Sequence, residues 1–443
     1  MDERAPPRLE RSEHFGFGPI ERTGTSVRFS FACSRFGAFT ETLNLETERA
    51  VPSELLTLLQ VALGVSSYKA GAARAVAFPP LTEAGRRMAE ALYTEGLAEF
   101  FVRSRLAYPP GTAFSGAIIP AATASGKPGS GPPLVAFGGG KDSYVAGAAA
   151  RAAYGEDPVY TSVIMSEAVG KVLTATAPYP PKLIRRALDP KLLALRDGFS
   201  GHVPITAMNI LVLTVFGWLQ GARAILFANE RSADEPTLNA NGVEANHQYS
   251  KSSAFEELVR DAVSEAAPSA PPTYSVLRPF SELWIAQRFA AIAEAHGRFT
   301  SCNRNFRLAG DATQRWCGTC AKCAFTSLIT APFVSRQQAE VMFGEPMLEA
   351  PELVPFFHEL CGLSEHKPWD CVGTIDECQA AVGLLTRHKD WRDTEIVRKL
   401  HSSLLRTKTA EDLQQQADEA EKPRARGALP AELYNAALDL PCA

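Results

Sequence analysis

The chain is predicted to be an α/β protein in which a parallel β-sheet flanked by helices is preceded by an α+β unit and followed by a helical region. Three observations predict this. Apolar strand-like runs alternate with helical stretches over residues 134–230, apolar and polar residues alternate over residues 26–46, and helical patterns dominate after residue 331. At 443 residues the chain is longer than one core usually serves. Hydrophobic residues at 46% and charged residues at 21% are ordinary globular values, which exclude a disordered chain, a collagen-like repeat or a coiled coil. With 45 basic and 49 acidic side chains the formal charge is −4, which argues against indiscriminate binding to nucleic acid. No repeat at a solenoid period is present.

In order along the chain, SVRFSFAC and FTETLNLE read as a half-buried hairpin turning near Gly37. Pro52 and Ser53 lead into a helix beginning ELLTLLQVALG, and Thr82 precedes one long helical pattern, EAGRRMAEALYTEGLAEFFVRSRL. Residues 1–115 are therefore expected to form an α+β domain. Residues 116–133, rich in Pro, Gly, Ala, Ser and Thr, read as a linker. Within residues 134–331, LVAF, VYTSVIM and ARAILFANE read as strands, and helices are expected at 190–196 and 205–220. Polar loops at Gly138 and Asn229 would then sit beyond the carboxyl ends of strands, where such sheets bind ligands. Residues 332–443 read as a helical region, with the charged stretch 406–426 as a solvated helix or a linker. The opening MDERAPPRLERSEH has no apolar stretch, and the apolar segment 205–219 is too short to cross a bilayer and contains Asn209. A cytoplasmic protein without a membrane partner is expected.

Strand, GGGKDS, helix is the most informative passage. Gly138, Gly139 and Gly140 let successive backbone N–H groups turn towards one point, and the positive end of the following helix adds to them, so a polyphosphate can be cradled there. Lys141 and Ser143 would add donors. A plain tight turn is the competing reading. Neither standard nucleotide motif fits. Position 135 is Val and Asp142 follows Lys141, against the Walker pattern, and Ser143 stands where the dinucleotide fingerprint needs its third glycine.

Nine cysteines are present, with Cys317, Cys320 and Cys323 spaced by two residues and Cys302 close by. Four thiolates on one tetrahedral ion would make a structural zinc site; a reduced thiol set or a redox pair are the alternatives. Cys33, Cys361, Cys371, Cys378 and Cys442 have no ligand spacing. The loop after the third strand, ANERSADEPTLNANGVEANHQYSKSSAFE, is polar enough to handle substrate, and Glu230, His247, Tyr249 and Lys251 are its candidates for proton transfer. Each could equally be hydrated surface. Tyr68 and Lys69 read either as substrate contacts or as a helix end packed on the core.

GGGKDS resembles the SGGxDS loop of the ATP pyrophosphatase superfamily, with Gly138 in place of the usual first serine. That resemblance implies a sheet of the ATP pyrophosphatase type and ATP as the nucleotide. Gly138, Gly139, Gly140, Lys141, Asp142 and Ser143 would grip its β and γ phosphates, with Asp142 helping to hold Mg²⁺. The cysteine arrangement is similar to the zinc site of 7-cyano-7-deazaguanine synthase, a relative in that superfamily. More narrowly, LGVSSYKAG, GLAEF, GGGKDS, ANERSADEPT, NHQYSKS and CGTCAKC resemble the MurL family, the ATP-dependent UDP-N-acetylmuramoyl-L-alanyl-L-glutamate epimerases of peptidoglycan precursor biosynthesis. The resemblance implies a UDP-MurNAc-dipeptide substrate, inversion of its terminal L-Glu through an acyl-adenylate, and release of AMP and diphosphate. The α+β unit would shape the pocket for the nucleotide sugar. A carboxylate-activating ligase or synthase is the runner-up, and a non-catalytic nucleotide-binding scaffold is the third reading.

Overall fold

The computed structural model describes residues 9–123, 126–127, 129–236, 238–240, 243–306, 314–364, 367–368 and 370–443. Residues 1–8 of the opening segment, 124, 125 and 128 of the expected linker, and 237, 241 and 242 of the polar loop lie outside the described residues. In chain order the strands are β1 (His14–Thr23), β2 (Ser26–Cys33), β3 (Gly37–Asn44), β4 (Ala75–Ala77), β5 (Ala113–Ser115), β6 (Leu134–Ala136), β7 (Val159–Ile164), β8 (Lys182–Leu188), β9 (Ile225–Phe227), β10 (Leu238–Ala240), β11 (Val243–Ala245) and β12 (Thr273–Ser275). The fold is α/β, in two compact units that are discontinuous in sequence. The first comprises Met1–Gly129, Ile184–Gly221 and Leu238–Pro272, the second Ser130–Leu183, Ala222–Thr237 and Thr273–Ala443. A junction between units thus falls inside the polar stretch 116–133, whereas position 331 lies within the second unit.

In the first unit the strand order is β8-β3-β2-β1-β4-β5, antiparallel from β8 to β1 and parallel from β1 to β5. The expected hairpin is β2–β3, paired from Ser26↔Asn44 to Cys33↔Gly37. Val27, Phe29, Phe31 and Cys33 alternate inward from β2, and Phe39 and Leu43 from β3. β1 has no such pattern, because Gly16, Gly18 and Pro19 interrupt it and its register with β2 shifts between Phe17 and Ile20. Glycine is required at 18, where a Cβ would lie 2.9 Å from Ser30 Cβ. Glu41 of β3 forms a buried ion pair with Arg186 of β8, which also donates to Ser66 Oγ at 2.8 Å. The helices Ser53–Gly71 and Ile205–Gln220 are buried on most sides. Tyr68 belongs to this core, its hydroxyl donating to Ala73 O at 3.1 Å.

The long helix expected after Thr82 is interrupted. Thr82 caps Glu83–Tyr93 as expected, but a 3₁₀ turn at Glu95–Leu97 intervenes before a second helix, Ala98–Arg103. Thr94 closes the first helix by donating its hydroxyl to Glu90 O at 2.7 Å, and Thr94 and Gly96 both have low helical preference with which to resist the break. The new direction buries Glu99, which is 4% exposed.

The second unit has the order β12-β9-β6-β7, all parallel, with β6 flanked on both sides. The helix Lys141–Tyr154 follows β6, and its small residues permit close packing: a Cβ on Gly147 would fall 1.9 Å from Tyr160 Oη. One apolar core runs from Val135, Leu226 and Trp284 through Phe325 to Leu385, Leu400, Leu413 and Leu433. The C-terminal helices therefore complete the core of the sheet unit, since each has an apolar side that must be covered. Even the charged stretch contributes a helix, Ala410–Glu421, which buries Leu413, Ala417 and Ala420. No helix among the described residues is long and apolar enough to cross a membrane.

Candidate functional site

β6 ends at Ala136, and the chain turns through Gly138, Gly139 and Gly140 into the helix Lys141–Tyr154. Gly138 is exposed, with nothing within 4 Å of where a Cβ would stand. Gly139 has φ +79°, and its Cβ position is 3.1 Å from Thr176 Oγ1. A Cβ on Gly140 would be 2.6 Å from Ser301 Oγ, and Thr300 N donates to Gly139 O at 2.9 Å. One side of the bend is thus packed against residues 300–301 while Gly138 opens outward. Gly140, the N-cap, offers no side chain to the first helical turn; Ser143 N donates to Gly140 O at 3.2 Å, and the N–H groups ahead of it face the start of the helix, where an anion is favoured.

The side chains around the bend are arranged differently from a row of phosphate donors. Lys141 is 2% exposed and forms ion pairs with Asp142 Oδ1 and Glu282 Oε2. Ser143 Oγ donates to Gly140 O at 2.8 Å. Burial works against the charge on Lys141, but the two adjacent carboxylates prevail and hold its pKa above the usual lysine range. Glu282, at the start of the helix Glu282–Ala290, is pushed up to about 8, chiefly by burial and further by Asp142 and Glu230, with Lys141 opposing. Glu230 is buried, and Ser232 Oγ lies 3.4 Å from its Oε1. Glu282 thus has Asp142 and Glu230 on one side of the charge balance and Lys141 and Lys322 on the other, and its burial favours a retained proton. Mg²⁺ commonly takes one or two protein carboxylates together with substrate phosphates, so Asp142 fits it without a complete protein cage.

Cys302, Cys317, Cys320 and Cys323 are free thiols whose sulfurs all lie within 4.8 Å of one another. The Sγ distances Cys317–Cys323 and Cys320–Cys323 are 3.8 and 3.5 Å. Four sulfurs around Zn²⁺ with bonds of ~2.3 Å would stand about 3.8 Å apart, so the donors and their spacing fit that ion. Cys320 caps the helix Ala321–Thr330 and Cys323 lies in its first turn. Hydrogen bonds from Cys320 and Cys323 hold Cys302 well below the usual thiol range, and the bond to Cys302 pushes Cys320 up to about 11. Cys302 follows directly on the Thr300 and Ser301 that wall the glycine bend, so the thiol cluster anchors that wall.

The first unit holds a second constellation. Glu99, His202 and His247 place one ligand atom each within 4.8 Å of the others. His247 Nδ1 bonds Glu99 Oε2, and His202 Nδ1 lies 3.2 Å from the same oxygen. Hydrogen bonds and charge from His247 outweigh burial and keep the Glu99 carboxyl below its usual range. Lys69 donates to Gly201 O at 2.6 Å, and burial pushes its pKa down to about 8. Of the loop candidates, Tyr249 is pushed up to about 12 by burial, with Glu95 and Tyr108 adding to the shift, and Lys251 Nζ reaches Gln248 Oε1 at 3.4 Å. His247, Tyr249 and Lys251 therefore belong to the first unit, and Glu230 and the glycine bend to the second. His202 and Glu282 carry no local pattern in the sequence, and Glu99 stands out only as part of GLAEF.

A glycine bend at the mouth of a parallel strand, carboxylates around a buried lysine and a four-thiol cluster are the features of this α/β chain to set beside known proteins. The MurL N-terminal domain matches residues 11–276 and the MurL C-terminal domain residues 298–416, and the chain belongs to the MurL family. Among its relatives, a UDP-N-acetyl-alpha-D-muramoyl-L-alanyl-L-glutamate epimerase of a Micromonospora species is 39% identical over 82% of this chain and 83% of its own length. Enzymes of the same name from Salinispora tropica and Xanthomonas oryzae pv. oryzae are 38% and 34% identical, over 82% and 78% of this chain and 81% and 77% of theirs.

Proposed function

We propose that the protein is an ATP-dependent epimerase that inverts the terminal L-Glu of UDP-MurNAc-L-Ala-L-Glu to D-Glu in peptidoglycan precursor biosynthesis. The names of its relatives support the epimerase role. The observation that carries ATP use is the glycine bend, open at Gly138 and backed by an uncapped helix start.

Removing the α-hydrogen of glutamate beside an ionised carboxylate would place two negative charges on adjoining atoms. In the proposed sequence a carboxylate oxygen of the substrate attacks the α-phosphorus of ATP and diphosphate leaves. The resulting acyl-adenylate no longer carries the carboxylate charge, so the α-proton is removed to give an enolate that is reprotonated from the opposite face. Water then cleaves the acyl-phosphate bond to give the D-Glu product and AMP. The loop from Gly138 to Ser143 binds the β and γ phosphates through the N–H groups ahead of Ser143, and Asp142 would hold Mg²⁺, which would supply charge neutralisation. Lys141, locked between Asp142 and Glu282, holds these carboxylates in place. Proton transfer is assigned to Glu230, the candidate that shares a unit with the glycine bend. Cys302, Cys317, Cys320 and Cys323 would hold Zn²⁺ in a structural role, fixing the wall of the bend.

The test is incubation with ATP, Mg²⁺ and UDP-MurNAc-L-Ala-L-Glu, followed by chiral analysis of the glutamate released on hydrolysis. D-Glu with AMP supports the proposal. A new C–N bond formed when an amine is supplied would indicate the ligase reading, and recovery of L-Glu alone without AMP would remove both.

A further inference from the structure

Glu99, His202 and His247 come from three separated segments, and each is fixed locally. Glu99 is turned inward by the break at Thr94 and the short helix Ala98–Arg103. Its Oε1 accepts from Arg103 Nη1 at 3.0 Å, which leaves Oε2 directed at the imidazoles. His202 follows Gly201, whose φ of +142° few other residues adopt and whose carbonyl is held by Lys69. His247 sits in a loop tightened by Gln248 N donating to Asn246 Oδ1 at 2.7 Å. The two rings stand 4.7 Å apart at 53°, not stacked on each other, with both Nδ1 atoms addressing one oxygen.

We propose that Glu99, His202 and His247 form a binding site for a divalent ion of the zinc class, separate from the four-thiol cluster. Two imidazole nitrogens and one carboxylate oxygen are a donor set for such ions, and three protein ligands leave an open position for water or an anionic oxygen. Ligand atoms that share a tetrahedral ion at ~2.0–2.1 Å stand about 3.4 Å apart. The 3.2 Å between His202 Nδ1 and Glu99 Oε2 matches that spacing, and the whole set lies within 4.8 Å. Arg103 acts from outside, orienting the carboxylate. On this assignment His247 is a metal ligand and not the proton-transfer group expected from its loop.

The inference does not depend on the epimerase reading, because it is tested by metal content. The full chain is stripped with chelator, reloaded with Zn²⁺, passed through gel filtration and assayed for bound metal per chain. His202→Ala and Glu99→Gln are each expected to retain one equivalent fewer than the wild-type chain, whether or not the thiols are also filled. Equal retention by all three would overturn the site. A measurement on the unaltered chain guards against misfolded variants: after loading with ¹¹³Cd²⁺, the NMR spectrum should show a nitrogen- and oxygen-ligated resonance apart from any sulfur-ligated one. A spectrum with only a sulfur-ligated signal, or none, would also overturn it.

Discussion

The glycine bend of the second unit and the Glu99–His202–His247 cluster of the first are built in opposite ways. The bend is one contiguous run, Gly138 to Ser143, that leaves a strand and enters a helix, and its shape follows from absent Cβ atoms and a positive φ at Gly139. The cluster has no local code: Glu99 and His247 are separated by 148 positions, and they meet only because a helix breaks and two loops turn inward. A local site depends on backbone freedom and is sensitive to any added side chain. An assembled site depends on partners, and it fails when a charge loses its counterpart.

The second unit uses both principles, and its substitutions separate them. The largest expected effect is at the thiol cluster: Cys317→Ser with Cys320→Ser, or chelation of the wild-type chain, should lower the thermal midpoint by on the order of 10 °C if zinc clamps the wall of the bend. An unchanged midpoint in differential scanning calorimetry would leave the thiols without that role. Lys141→Met comes next, because it leaves Asp142 and Glu282 facing each other without a cation; a loss of about 3–5 kcal/mol in denaturant unfolding is expected.

Within the bend, Gly139→Ala meets both a left-handed φ and Thr176, so it should cost about 1–2 kcal/mol. On the proposed use of ATP it should also displace the N–H groups assigned to the phosphates and reduce AMP formation about 100-fold. Gly138→Ala faces open space and should stay within about 0.5 kcal/mol of wild type in unfolding measurements. If the two alanines behaved alike, local geometry would not be what shapes the turn.

For the first unit the comparison is sharpened by pH. Lys69 has a folded pKa of about 8 against 10.5 normally, so between those values the unfolded chain binds a proton that the folded chain does not. Folding stability should therefore rise with pH across that window, by at most about 1.4 kcal/mol per pH unit. The cause of the shift is burial of the amine. Subtracting the curve of Lys69→Met from that of wild type isolates the contribution; a flat difference would show the amine to be solvated.

Much of this was legible where the signal is contiguous. Alternation in SVRFSFAC marked a strand, Thr82 marked a helix start, the apolar segment ahead of Gly221 read correctly as a buried helix, and the cysteine spacing pointed to four residues that do converge. β1 was hidden by its glycines and proline, β8 by the Lys and Arg residues in KLIRRAL, and the interruption at Thr94 by an apolar periodicity that continues across it. Glu282 could not be associated with Lys141 from sequence, since 141 positions separate them.

The sequence by itself determined the features that depend on neighbours in the chain: a glycine bend between strand and helix, thiols spaced across the start of a helix, and the alternation of β and α elements. The tertiary structure alone decided which polar groups meet. It directed Lys141 to Glu282, turned Glu99 towards two histidines and drew the C-terminal helices into the core of the sheet unit. The physical reason is range. Backbone conformation responds to the residues beside it, whereas the charge and protonation of a buried group respond to whatever the fold places within a few ångströms.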